Sequence, residues 1–148
     1  MHETIYQLCN LAILPAWLAL LFAPEHRATE RFVHSGGVSA LFCAVYSYLL
    51  FSGIGGESQG GFSTLADLSL MFSRPEAALV GWVHYVALDL MIGSWELKDM
   101  ARCGVSMRWR FLILPLTLLL APFGLLVYLG LRLALARPAS IESAIGER

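Results

Sequence analysis

Four long apolar segments dominate this chain of 148 residues and constrain what it can fold into. They lie at about residues 4–22, 33–51, 77–97 and 111–136, each close to the ~20 residues that a helix needs to cross ~30 Å of hydrocarbon. Hydrophobic residues make up 57% of the chain and charged residues 14%, which is too apolar for a soluble domain of this size. The sequence therefore predicts an all-α membrane protein with four transmembrane helices, forming a single integral membrane domain over residues 1–148.

The connections between these segments differ in composition. Residues 53–61 are rich in glycine but lack the lysine and the preceding strand of a phosphate-binding loop, so we expect a flexible linker. Residues 63–72 place apolar side chains at helical spacing, which predicts a short amphipathic helix at the membrane interface between the second and third spans. Residues 98–110 form the most basic connection, and the tail at 138–148 is polar.

Signals at the helix ends predict the orientation. The first segment lacks a preceding basic region and a following cleavage site, so we expect it to be retained as a helix. The first and third connections carry six Lys and Arg residues, against three (Arg74, Arg132 and Arg137) on the other side. This predicts a multi-pass protein of the cell inner (plasma) membrane, with both termini outside. A net charge of -1 argues against nucleic acid as a partner and leaves the lipid bilayer, with a homo-oligomer open.

The third apolar segment concentrates the polar residues. One helical stripe contains Trp82, Tyr85, Asp89, Ile92, Gly93 and Glu96. Lipid satisfies neither carboxylate, so this stripe is predicted to face the bundle interior or a cavity. Asp89 lies near the bilayer midplane, where an aspartate costs about 2.5–3.5 kcal/mol to insert. Glu96 lies nearer the cytoplasmic end, where we expect it to reach water or Lys98.

Two roles for Asp89 follow from this cost. It is either a structural residue, hydrogen-bonded across helices to Tyr46, Ser47 or Tyr48, or a carboxyl group that handles a proton or binds a ligand. Tyr85 is four residues away and within reach of a hydrogen bond. His84 projects about 140° away from Asp89, so a dyad with His84 would need a residue from another helix.

The two histidines on different helices raise the question of a cofactor. His34 opens the second span at the depth of Glu96, where it is expected either to form a polar mouth to a cavity with Glu96 or to occupy an interfacial position. His34 and His84 are separated by roughly 18 Å of depth, so one haem iron cannot bind both. We expect no cofactor and no metal, because no cysteine or histidine spacing fits a metal site. A haem held by a single histidine stays as the alternative.

The third and fourth segments together resemble a known family. Trp82-Val-His84-Tyr85-Val-Ala-Leu-Asp89-Leu, followed by Gly93, Trp95 and Asp99, is similar to the abscisic-acid-deficient-4-like family of small four-helix membrane proteins. Pro115 and then Pro122-Phe-Gly124-Leu-Leu-Val-Tyr128 continue the similarity. The chain departs from the family at Leu88, where an aromatic residue is expected, and at Ala121, where glycine is more usual.

The resemblance implies a link to carotenoids, because plant members are required to make neoxanthin from violaxanthin. The absence of a transit peptide favours a bacterial member, whose substrate would be a carotenoid or another isoprenoid. Such an isomerisation needs an acid at the epoxide oxygen and a base at the polyene, but no redox cofactor. The alternative is a non-enzymatic membrane subunit or a pigment-binding protein. The predicted catalytic residues are Asp89, His84 and Tyr85, and the predicted substrate-binding residues are Trp82, Trp95, Glu96, His34, Tyr46 and Tyr128.

Overall fold

The computed structural model describes residues 2–52 and 60–135, and within these ranges every regular element is a helix. The five α-helices are α1 (His2–Phe22), α2 (Gly37–Phe51), α3 (Leu65–Phe72), α4 (Pro75–Cys103) and α5 (Arg110–Leu135). A π-helical segment, Thr29–His34, precedes α2, and a 3₁₀ turn, Met107–Trp109, precedes α5. The predicted all-α class is confirmed. Most of the glycine-rich linker (53–59) and the tail at 138–148 lie outside the described residues.

Three segments are long and apolar enough to cross a membrane: His2–Phe22, Pro75–Cys103 and Met107–Leu135. The helix α2 has 15 residues, which is about 22 Å at the helical rise and short of the ~30 Å hydrocarbon layer. The helix predicted at 63–72 is present as α3, and the side chain of Thr64 accepts a hydrogen bond from the backbone N–H of Asp67 at 3.1 Å to begin it. The interfacial position of α3 stays a prediction.

The central element is α4, which packs against all of the other α-helices. Pro75 occupies its first turn, where the missing N–H costs nothing, and Gly104 ends it with a φ of 68°. The helix runs six residues beyond the predicted end at Leu97, so Lys98, Asp99 and Arg102 belong to it. The density of charge suggested a loop there, but Lys98 and Asp99 find partners on neighbouring elements, and Arg102 pairs with Asp99, while the backbone stays helical.

The helices α1 and α4 run in the same direction, and α2 runs against them. Trp17 of α1 packs on Gly93 of α4, whereas His34, just before α2, lies beside Ser94. We call the carboxyl end of α4 the Lys98 end of the bundle and the other the His2 end. At the Lys98 end, the Lys98 Nζ donates to the carbonyl of His34 at 2.7 Å.

The last helix does not run straight. Leu120 has φ −147° and ψ 66°, which is outside the helical region. Pro122 explains the break, because it has no N–H and its ring clashes with the carbonyl four residues earlier. Gly124 then lies against the backbone of Thr117, so closely that a Cβ at this glycine would overlap it. Seven residues span about 10 Å in a straight helix, so the two halves of α5 fold back on each other.

This fold-back differs from the predicted fourth span at 111–136, in which Pro115 and Pro122 were expected to bend the helix but not to reverse it. The Nε of Arg132 lies 2.9 Å from Oδ2 of Asp99, and the Nε of Arg110 donates to the carbonyl of Leu21 at 2.8 Å. Both ends of α5 therefore lie at the Lys98 end. The expectation that Arg132 lies on the side opposite the basic connection is wrong, because hydropathy shows the length of an apolar segment but not whether it turns back.

The close approach of α1 to α4 predicts the effect of one substitution. A Cβ at Gly93 would lie 2.8–2.9 Å from two ring carbons of Trp17 and 3.3 Å from a methyl of Leu114. We expect Gly93→Ala to destabilise the protein by about 1–3 kcal/mol through overpacking, measured as a lower Tm in detergent. Gly130→Ala is the control, since nothing lies within 4 Å of its added Cβ. Equal melting temperatures for the two variants would contradict this packing.

Candidate functional site

The turn of α5 forms one wall of a cleft of about 900 Å³. The other walls come from α1 and α4, and Asp89 is the one acidic or basic side chain among the described lining residues. The lining residues are Tyr6, Gln7, Asn10, Leu11, Ile13, Leu14, Trp17, Trp82, Tyr85, Val86, Asp89, Leu118, Leu119, Leu120, Ala121 and Pro122. The cleft is therefore a mostly apolar space with a small polar part, which is the usual composition of a small-molecule site.

The polar part of the lining is centred on α4. The indole Nε1 of Trp82 donates to Oδ1 of Asn10 at 2.8 Å, and the ring of Tyr6 packs on Trp82 at 5.6 Å between centroids. Because an indole N–H only donates, this bond fixes the Asn10 carbonyl towards Trp82 and turns its amide group away. Asn10, in the α1 wall, thus has hydrogen-bond donors left over in the cleft that Asp89 also lines.

Asp89 is half-buried, and its carboxylate forms no hydrogen bond with any described residue. The contacts expected for a structural role are not made. Tyr46 packs instead against His84, with centroids 5.5 Å apart, and the Ser47 hydroxyl donates to the carbonyl of Cys43 at 2.8 Å. The expected hydrogen bond from Tyr85 to Asp89 is also missing. Asp89 does not reach these α2 residues because it projects from the opposite face of α4. The helix α2 packs on the face of α4 that carries His84 and Ser94.

His84 opens into a second, smaller cleft of about 470 Å³ between α2, α3 and α4. Its ring is bracketed by Tyr46 and by Tyr85, whose centroid lies 6.1 Å away with the rings nearly perpendicular. His84 and Asp89 therefore face different clefts, as their angular separation predicts. Tyr85 lines both clefts and is the one predicted catalytic residue that connects them.

Glu96 is fully enclosed and does not reach water or Lys98 as expected. The Thr117 hydroxyl donates to its carboxylate, with distances of 2.9 and 3.1 Å to the two oxygens. The predicted mouth formed by His34 and Glu96 is not present either, because His34 Nδ1 lies 2.8 Å from Ser94 Oγ. The longer α4 places these groups inside the helix contacts instead of at an opening.

A third polar cluster, around Asp99, was missed by the sequence analysis. Asp99 is buried and accepts hydrogen bonds from the Tyr128 hydroxyl (2.6 Å) and from Arg102 (2.6 Å), and it pairs with Arg132. Trp95 packs edge-on against Tyr128 at 5.6 Å. Trp95 and Tyr128 were predicted to bind substrate, but they line neither cleft and belong to this cluster. The i,i+3 spacing of Asp99 and Arg102 was the available signal.

The parts of the chain that the structure describes contain no cluster of side chains suited to hold a metal ion. No three histidine, cysteine or acidic side chains come together within residues 2–52 and 60–135. Of the two histidines considered for haem, His34 contacts Ser94 and His84 lines the second cleft. They lie at different levels along α4, which agrees with their predicted separation in depth. A haem held by one of them stays an untested alternative.

The Glu96–Thr117 contact predicts a stability effect without a direct effect on the cleft. Thr117→Val keeps the shape but removes the donor, so the buried carboxyl of Glu96 loses its partner. We expect a loss of about 1–3 kcal/mol, seen as a lower Tm in detergent. Ser47→Ala is the control, since its hydroxyl bonds an exposed carbonyl of its own helix. The double variant with Glu96→Leu should regain stability, and a further loss there would refute the pairing.

Comparisons with known proteins bear on the whole helical bundle. A family model described as ABA DEFICIENT 4-like matches residues 4–128, which includes both clefts. Neither the curated proteins nor the solved structures compared with the chain gave a match. The family that residues 82–99 resemble is confirmed, because the family model matches these residues and most of the rest of the chain. With 125 of its 148 residues covered, the chain belongs to the ABA DEFICIENT 4-like family.

Proposed function

We propose that this protein binds a carotenoid-like isoprenoid in the cleft beside Asp89 and isomerises it by acid–base chemistry. The observation that carries the proposal is a carboxyl group without a hydrogen-bond partner among the described residues, placed in a mostly apolar cleft. Membership of a family linked to neoxanthin formation supplies the substrate class. The long apolar helices are consistent with a substrate dissolved in lipid, in the cell inner membrane as the sequence predicts.

The depth of Asp89 suits such a substrate. Asp89 is the middle residue of α4, which runs from Pro75 to Cys103. In a helix that crosses the bilayer, this position lies near the midplane, where a charged group is costly unless it has a function. A long polyene with a polar ring end would place its chain along the apolar lining and its oxygen beside Asp89 and Asn10.

The reaction needs one proton delivered and one removed. Protonated Asp89 would donate its proton to the epoxide oxygen while the ring C–O bond breaks, forming a hydroxyl group. The polyene carbon then loses a proton as the allene forms, so the substrate and product have the same composition and no electrons are exchanged. The Asp89 carboxylate, with no other acidic or basic side chain among the described lining residues, is the group that accepts this second proton.

Tyr85 and His84 then have supporting roles. Tyr85 lines both clefts, and in this proposal its hydroxyl contacts a substrate oxygen next to Asp89. His84 would contact the same molecule only if the substrate extends past Tyr85 into the second cleft. Pigment binding without conversion is the alternative function, and it is distinguished by the behaviour of Asp89 variants.

Replacing Asp89 separates chemistry from binding and folding. Asp89→Asn removes the transferable proton but keeps the shape, so product yield should fall at least about 100-fold. Because Asp89 has no hydrogen-bond partner to lose among the described residues, the Tm of Asp89→Asn and Asp89→Leu should stay close to the parent value. The assay is pigment chromatography of carotenoid-producing cells that express each variant.

Asp67→Asn is the matched control for loss of a carboxylate, because Asp67 lies on α3 and lines neither cleft. Full product yield from Asp89→Asn would refute the acid–base role. Bound pigment without any conversion by the parent protein would favour the pigment-binding alternative. A large fall in the Tm of Asp89→Leu would instead show that Asp89 is structural.

His84 provides a second, independent test of how far the substrate extends. We expect His84→Ala to lower pigment binding or product yield, but less than Asp89→Asn, because His84 opens into the other cleft. Pigment content per mole of purified protein measures it. His26→Ala is the histidine control, since His26 lies in the connection at the Lys98 end, away from both clefts. Equal pigment content in both variants would confine the substrate to the Asp89 cleft.

A further inference from the structure

The two ends of α5 return to the same end of the bundle. Arg110, at its start, donates to the carbonyl of Leu21, the next-to-last residue of α1. Near its end, Tyr128 and Arg132 both contact Asp99 in the last turn of α4. A straight helix would place Arg132 about 33 Å from Arg110, at the His2 end.

The length of the first half shows how deep the turn goes. Residues 110–119 form ten residues of helix before the break at Leu120. Ten residues rise about 15 Å, which is half of the ~30 Å hydrocarbon layer. The turn at 118–122 lines the same cleft as Asp89, the middle residue of α4, which agrees with a turn about halfway along α4.

The surroundings of the turn fit such a position. Irregular backbone is tolerated at membrane depth only where protein covers it or where it lines a cavity. Residues 118–122 line the Asp89 cleft. The lining residues of α1 and α4 run from the level of the turn towards the His2 end, in the half of the bundle that α5 does not enter.

The cationic residues support the same topology. Eight Lys and Arg residues lie in the described ranges, and Arg74 is the one near the His2 end. The other seven, at the Lys98 end, are Arg27, Arg31, Lys98, Arg102, Arg108, Arg110 and Arg132. Because the fold-back places Arg132 at the Lys98 end, the distribution of positive charge between the two ends is seven to one among the described residues. The positive-inside rule then places the Lys98 end in the cytoplasm.

We propose that α5 is a re-entrant hairpin that enters and leaves the membrane on the cytoplasmic side, so that both of its ends face the cytoplasm. The Asp99 cluster holds the returning half of α5 to α4. Because α5 turns back about halfway along α4, the Asp89 cleft extends between α1 and α4 into the half of the bundle that α5 does not enter. This topology stands whether or not the proposed reaction occurs.

Cysteine labelling of the full-length chain in intact cells tests the hairpin. Cys9, Cys43 and Cys103 are first replaced by serine, and single cysteines are then introduced by Ser63→Cys, Ser106→Cys or Ser143→Cys. Ser63 precedes α3 near the His2 end, Ser106 lies in the turn before α5, and Ser143 follows α5 in sequence. A membrane-impermeant maleimide is applied before and after permeabilisation.

We expect the cysteine at 63 to be labelled in intact cells and those at 106 and 143 only after permeabilisation. Labelling at 143 together with 63, but not 106, would show that α5 crosses the membrane and would overturn the hairpin. Labelling at 106 and 143 but not 63 would overturn the cytoplasmic placement. Melting temperatures equal to that of the cysteine-free parent confirm that each variant is folded, and equal product yield is not required.

Discussion

The buried carboxylate of Asp99 holds the returning half of α5 at the Lys98 end of the bundle. It accepts hydrogen bonds from Tyr128 and Arg102 and pairs with Arg132, so two of its three partners come from the returning half of α5. A buried carboxylate is stable only when such partners are all in place. Without Arg132 and Tyr128, the apolar second half of α5 would have no polar anchor at the Lys98 end.

The contacts of Asp99 with α5 fix the position of the turn in α5, and this turn forms one wall of the Asp89 cleft. The break at Leu120 and the close contact of Gly124 with Thr117 stop α5 halfway along α4. Thr117 then meets Glu96 in the interior, and the turn closes one wall of the cleft that holds Asp89. Three of the four carboxylates of α4 therefore differ in their surroundings: Asp99 contacts α5, Glu96 pairs with Thr117 in the core, and Asp89 lines the cleft.

Much of this arrangement was predictable from the sequence, because hydropathy and helical spacing depend on local residues. The all-helical class, the amphipathic α3 and the separation of His84 from Asp89 were all predicted. The direction of α5 was not, since Pro115 and Pro122 indicate bends but not how far the chain turns. The roles of Glu96, Trp95 and Tyr128 depend on residues more than ten positions away, which only the fold brings together.

A distance across α5 tests the central claim most directly. Spin labels at Arg108→Cys and Leu133→Cys, in the chain without other cysteines, would be about 37 Å apart along a straight helix, because about 25 helical rises of ~1.5 Å separate them. Packed helix axes are about 8–10 Å apart, so the hairpin predicts a single short distance, roughly 20 Å or less with the label arms. The measurement is double electron–electron resonance in lipid nanodiscs. A distribution centred near the straight-helix value would contradict the fold-back and the cleft that depends on it.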